Sequence, residues 1–216
     1  MASWITHLRF AQMIKQHLPL DETLLYWGCV APDSGRILSD GLTYQPASKI
    51  SHCQKDKGKC SIDHEGFYQA YVLGANKQEL AYYVGYLTHL FCDKYWVEKI
   101  VLPAKQAYQK ALALDPSFIF KIKAEWYQLD HLFLSKQQVF DPLAKLESAP
   151  DLPYLPWFRS QAIKDKVKQI IAFYQDAKMI DGGHIYTDEK MVASFLAEQT
   201  QAFLEGYGDR IRNLLD

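Results

Sequence analysis

The chain has 216 residues, 49% of them apolar and 14% aromatic, with 24 Lys and Arg against 25 Asp and Glu for a formal net charge of −1. That apolar load is too rich for a disordered chain and fills one well-packed core, so a single domain over 1–216 is expected. The even charge balance disfavours a nucleic-acid binder, which presents a basic face, and leaves small substrates open.

In the N-terminal stretch, Leu8, Ala11, Ile14 and Leu18 recur at helical spacing and predict an amphipathic helix. His7, Arg9, Lys15 and His17 interrupt what a signal peptide needs as its apolar core. No run approaches the roughly 20 apolar residues of a transmembrane segment, so a cytoplasmic setting is expected. Asp21 predicts the cap of a second helix, DETLLYWGCV, which Pro32 stops. Residues 34–63 are polar and aperiodic and read as a long loop, a feature that is commonly functional. Further helices are expected over Gln78–Ile100, ending before Pro103, and over Ala104–Leu114. Ser117–Ser135 is apolar and aromatic, and four prolines between Asp141 and Pro156 predict a rigid connector. Helices follow over Trp157–Lys178 and Thr187–Asn213, with a turn at Asp181-Gly182-Gly183 and an interruption at Gly206 and Gly208. No strand alternation persists, so the expected fold class is all-α.

The densest local chemistry lies in YYVGYLTHLFCDKYW, Tyr82 to Trp96. His89 and Asp93, four apart, project from one helical face and can share a divalent cation or simply bond to each other. Gly85, one turn earlier, lets another backbone approach. Taken singly, His7 reads as a core histidine, Asp33 as a turn residue in APDSG, and His52 as a loop histidine. Cys29, Cys53, Cys60 and Cys92 form no CxxC pair and read as reduced thiols, and Cys53 and Cys60 lie too far apart for a zinc knuckle.

Taken in order, SWITHLRFAQ with His7, APDSG with Asp33, SHC with His52 and GYLTHLFCD with His89 and Asp93 resemble the bacterial zinc-dependent phospholipase C family, related to the zinc-dependent single-strand nucleases. The resemblance spans about the first half of the chain. It implies a multi-helix domain lining a cleft that holds zinc, and hydrolysis of phosphate esters by metal-activated water attacking phosphorus. Carried over, Asp33, His52, His89 and Asp93 hold one zinc, and Asp93 bridges to a second ion also bound by His7. Asp33 is the expected catalytic base.

Two departures matter. Secreted members of the family begin with a Trp whose amino group and carbonyl bind zinc, whereas the nearest here is Trp4. A later HxxxE ligand pair has no counterpart, since only His131 and His184 follow Asp93. One or two Zn2+ ions are therefore expected, not three. In AEWYQLDHLFL, Asp130 is the expected completion of the second site, with His131 as the alternative and a structural anchor as the other reading of Asp130. His64 competes with His52 as the loop ligand, His184 reads as a turn residue and His17 as a surface one. Tyr82, Tyr83, Tyr86, Trp96 and Trp126 read as cleft lining or core, and Lys55, Lys57 and Lys59 as phosphate contacts or a solvated loop. The expected partner is a phosphate-ester small molecule or a phospholipid head group. The rival function is a non-catalytic helical metal-binding or interaction module that keeps part of the zinc site.

Overall fold

The computed structural model describes residues 1–40, 43–56, 58–136, 140–176 and 186–216. Helix α1, Trp4–Lys15, starts at Ser3, whose side chain accepts from the Thr6 N–H. Helix α2, Glu22–Val30, starts at Asp21, which accepts from Leu24 N at 2.8 Å as the sequence predicts, and a 3-10 turn at Ala31–Asp33 follows it. Residues 34–63 are more ordered than a plain loop. They form an antiparallel hairpin of β1, Arg36–Ile37, and β2, Tyr44–Gln45, then the short helix α3, Ser48–Ser51, and a turn at Lys59–Ser61.

Helix α4, His64–Phe67, runs into a wide π turn at Tyr68–Val72. Helix α5, Lys77–Trp96, begins at Asn76, whose side chain accepts from two amide groups. Five more helices precede the last: α6 Leu102–Ala107, α7 Gln109–Leu114, α8 Phe118–Lys136, α9 Ser160–Asp176 and α10 Glu189–Phe203. Helix α11, Asp209–Leu215, closes the chain. The all-α expectation is met, with one small hairpin added.

Helix α5 is the axis of the molecule. It is buried without a break from Leu80 to Asp93, the mark of a helix enclosed on every side. Helices α1, α2, α4 and α10 pack against it. The approach of α2 is the tightest, and glycine permits it. A Cβ on Gly85 would lie 2.1 Å from the Leu25 carbonyl oxygen, and one on Gly28 would lie 2.0 Å from that of Tyr82. Toward the C-terminal end of the axis Phe91 meets Phe10 and Phe203, and Trp96 meets Trp126 of α8 and Phe195 of α10.

Pro103 does not end the long helix. A π turn at Val97–Val101 carries the chain into α6, where Pro103 occupies the first turn and its missing N–H costs no bond. The break falls instead at Tyr108, between α6 and α7. Gly206 and Gly208 sit in a second such widening, Leu204–Gly208, between α10 and α11. The end of the helix expected to reach Lys178, the turn at Asp181-Gly182-Gly183 and His184 lie outside the described residues. Among the described residues no helix is long and apolar enough to cross a membrane.

Candidate metal centre

Helix α5 presents His89 and Asp93 one turn apart, facing the end of α2, the α3 segment and the buried side of α1. His89 Nδ1 lies 2.8 Å from the Cys29 carbonyl. A carbonyl only accepts, so Nδ1 carries the proton and Nε2 offers its lone pair to the cluster. The close approach at Gly85 puts that carbonyl within reach. His52 follows α3, with Nδ1 3.0 Å from Ser51 Oγ and 3.3 Å from Ser48 Oγ. Tyr86 in turn donates to the Ser51 carbonyl, which ties α3 to α5.

His52 Nε2 lies 3.3 Å from Asp33 Oδ1 and 3.6 Å from Asp93 Oδ2. His7 comes from α1, its ring stacked on that of His89 with centroids 3.8 Å apart. Asp93 divides its oxygens between these neighbours. Oδ1 lies 3.3 Å from His7 Nε2, while Oδ2 lies 3.6 Å from both His52 Nε2 and His89 Nε2.

One ligand atom each from His7, His89 and Asp93 falls within a 4.8 Å set, and so does one each from Asp33, His52 and His89. Burial, and then the neighbouring His89, lower the pKa of His7 to about 4, so its ring is neutral at pH 7. Among the described residues neither nitrogen of His7 nor Nε2 of His89 makes a hydrogen bond. Leaving such a buried nitrogen unbonded costs about 1–3 kcal/mol. Imidazole nitrogens grouped with carboxylates make a nitrogen–oxygen donor set that suits zinc, and the Cys29 carbonyl fixes the tautomer of His89. The residues therefore fit the metal that the sequence implies.

Three consecutive residues at the start of α1 grip three carboxylates. Ala2 N–H donates to Asp93 Oδ1 at 3.0 Å, Ser3 Oγ to Asp130 Oδ1 at 2.7 Å, and Trp4 Nε1 to Asp33 Oδ2 at 2.9 Å. Asp130 stands outside both ligand sets, since its other oxygen accepts from Tyr174 of α9. Burial pushes its pKa up to about 7. It anchors α1 to α8 and α9, the second of the two readings its sequence context allows. His131 packs on Tyr174.

His64 is held elsewhere, with Nδ1 2.6 Å from the Tyr207 hydroxyl and its ring against Phe91, so of the two loop histidines it is His52 that reaches the cluster. His17 is exposed. Tyr82, Tyr83, Tyr86, Trp96 and Trp126 are core. Lys55 pairs with Asp63 at 2.9 Å, and Lys57 lies outside the described residues. Cys53 and Cys60 are free thiols.

The cluster opens on one side. Asp33 and His52 line a cavity of about 160 Å³ with Trp4, Tyr44, Ser51 and Lys166. It adjoins a cavity of about 480 Å³ that shares Trp4, Tyr44 and Lys166 and adds Arg36 and Tyr127. Sequence reasoning missed Trp4 as an Asp33 donor, the serines behind His52, and Lys166. Ser48, four residues before His52 on a short helix, was the one readable signal. The Trp4–Asp33 bond and the place of Lys166 in the cleft are fixed only by tertiary packing.

A mostly helical molecule with histidines and carboxylates grouped beneath a cleft belongs among the proteins with a candidate metal site. Residues 6–96 match the family model described as zinc dependent phospholipase C. The matched segment contains His7, Asp33, His52, His89 and Asp93 and ends with α5, so Asp130 and Lys166 lie beyond it. No curated protein and no solved structure matches the chain.

Proposed function

We propose that the protein is a zinc-dependent hydrolase of phosphate esters, of the phospholipase C type, working with one or two ions. The observation that carries this reading is the division of Asp93, with one oxygen toward His7 and the other toward His52 and His89. Asp33, His52, His89 and Asp93 Oδ2 would hold one ion, and His7 with Asp93 Oδ1 a second. Bound there, zinc supplies Lewis-acid activation of water and of the phosphoryl group.

The protein's own groups do the rest. Asp33 lies where the cluster meets the cleft, and the Trp4 indole fixes its Oδ2. That placement suits a general base that takes the proton of the attacking water. The Cys29 carbonyl and the two serines orient His89 and His52, and Ala2 N–H orients Asp93. The reading takes 1–216 as one domain, supported by the core that Trp96 of the matched segment shares with Trp126 and Phe195 beyond it.

The test is protein purified without chelator. We expect at least one zinc per chain and steady hydrolysis of bis-p-nitrophenyl phosphate, with both lost in His89→Ala. Substoichiometric zinc that added Zn2+ does not restore sinks the reading. Full zinc without turnover favours the non-catalytic module, for which the anchoring role of Asp130 speaks, because it leaves the second ion with few ligands.

A further inference from the structure

Lys166 of α9 is a cation in the cleft that the hydrolase reading does not use. It shares the cavity of about 160 Å³ with Asp33 and His52. Its Nζ lies 5.6 Å from the centroid of the Trp4 ring, whose Nε1 bonds to Asp33. One indole therefore separates the ammonium from the metal-side carboxylate. The ammonium's hydrogen bond goes to a neutral acceptor, Gln169 Oε1, at 2.6 Å. Among the described residues Lys166 forms no ion pair, and an ammonium has three N–H donors to place.

The acids nearby are already engaged. Asp33 belongs to the cluster, and Asp165 accepts from Gln161 at 2.8 Å. Arg36 adds a second cation toward the mouth.

We propose that Lys166 is a substrate-binding residue, and that the cleft takes a phosphate monoester dianion in preference to a diester bearing a quaternary ammonium. The proposal rests on the hydrolase reading for turnover, but not for binding. A diester carries one negative charge and a monoester two, so a fixed cation beside the ligand cluster matches the second charge. A quaternary ammonium needs an open aromatic face. Here Lys166 lies over the ring of Trp4, the aromatic bonded to Asp33, and repels a second cation at that face. In the hydrolysis, water oxygen bonds to phosphorus as the phosphorus–oxygen bond to the alcohol breaks, and the water's proton leaves, through Asp33, on the alcohol.

Inorganic phosphate is titrated into wild type, Lys166→Met and Lys166→Arg, each with and without added zinc, following tryptophan fluorescence. A charge-assisted hydrogen bond makes a difference of about 10–100-fold. We expect Lys166→Met to weaken phosphate binding and p-nitrophenyl phosphate turnover by that factor. Turnover of p-nitrophenyl phosphorylcholine should change less than about threefold, on the order of an exposed polar contact. Lys166→Arg should recover most of the loss. Equal phosphate affinity in wild type and Lys166→Met overturns the proposal. If no ester is hydrolysed while phosphate binding still depends on Lys166, the hydrolase reading fails and this one stands. Glycerol 3-phosphate and phosphatidic acid vesicles separate a soluble from a lipid source. Hydrolysis of either, diminished in Lys166→Met, supports the proposal, and preference for phosphatidylcholine vesicles over both refutes it.

Discussion

Asp93 and Asp130 show how differently two buried aspartates serve one molecule. Asp93 faces histidines on both sides, whereas Asp130 faces two hydroxyls. Burial raises the Asp130 pKa to about 7, against about 3.9 for an unfolded aspartate. The sign follows from proton counting. Between about pH 4 and pH 7 the folded chain keeps a proton that the unfolded chain has released, so stability falls as pH rises through that window and then levels off. Asp130→Asn should remove this fall, seen as a flatter stability difference between pH 4.5 and pH 7.5 in urea melts run with chelator. An unchanged slope would show that Asp130 does not carry the proton. Neither bond of Asp130 was legible beforehand, because Ser3 lies 127 residues away and Tyr174 lies 44.

Among the elements, the contact between α2 and α5 governs the site most directly. Gly85 was readable as a place of backbone approach, since it stands one turn before His89 on the same face. Its partner Gly28, and the carbonyl of Cys29 next to it, became visible only with the two helices docked. Gly85→Ala places a methyl group against main chain that cannot rotate away. We expect a loss of about 3 kcal/mol or more, the upper end for overpacking. Zinc content should fall as well, because separating the helices withdraws the carbonyl that orients His89. Urea denaturation and metal analysis of the variant measure both. The helices themselves were largely legible from spacing and caps. Pro103 misled because a π turn can pass a helix through a proline, and no local residue pattern announces that widening.

At the scale of the whole molecule, the candidate ligands come from α1, the turn after α2, the α3 segment and α5. An ion held by Asp33, His52, His89 and Asp93 would cross-link three parts of the chain, and a second ion at His7 and Asp93 would add α1. At free zinc 1,000 times its Kd the stabilisation is about 4 kcal/mol. For a chain of this size that is roughly 8–16 °C in Tm. Thermal melts with zinc and with EDTA should differ by that order, and His89→Ala should melt alike in both. The ligand motifs were legible because they form short ordered segments in one half of the chain. The cleft opposite them was not, because α9 supplies Lys166 from far along the sequence.

The grip of Ala2, Ser3 and Trp4 on three aspartates has a consequence in time. Those carboxylates lie at positions 33, 93 and 130, so the start of α1 cannot be fully seated until α8 has been synthesised. Contacts of such long sequence separation close late and slow the search for the native state. Until then α1 can pack on α2 and α5 but lacks its tie to α8, so this end of the helix is held less firmly than its partners while the rest of the chain folds.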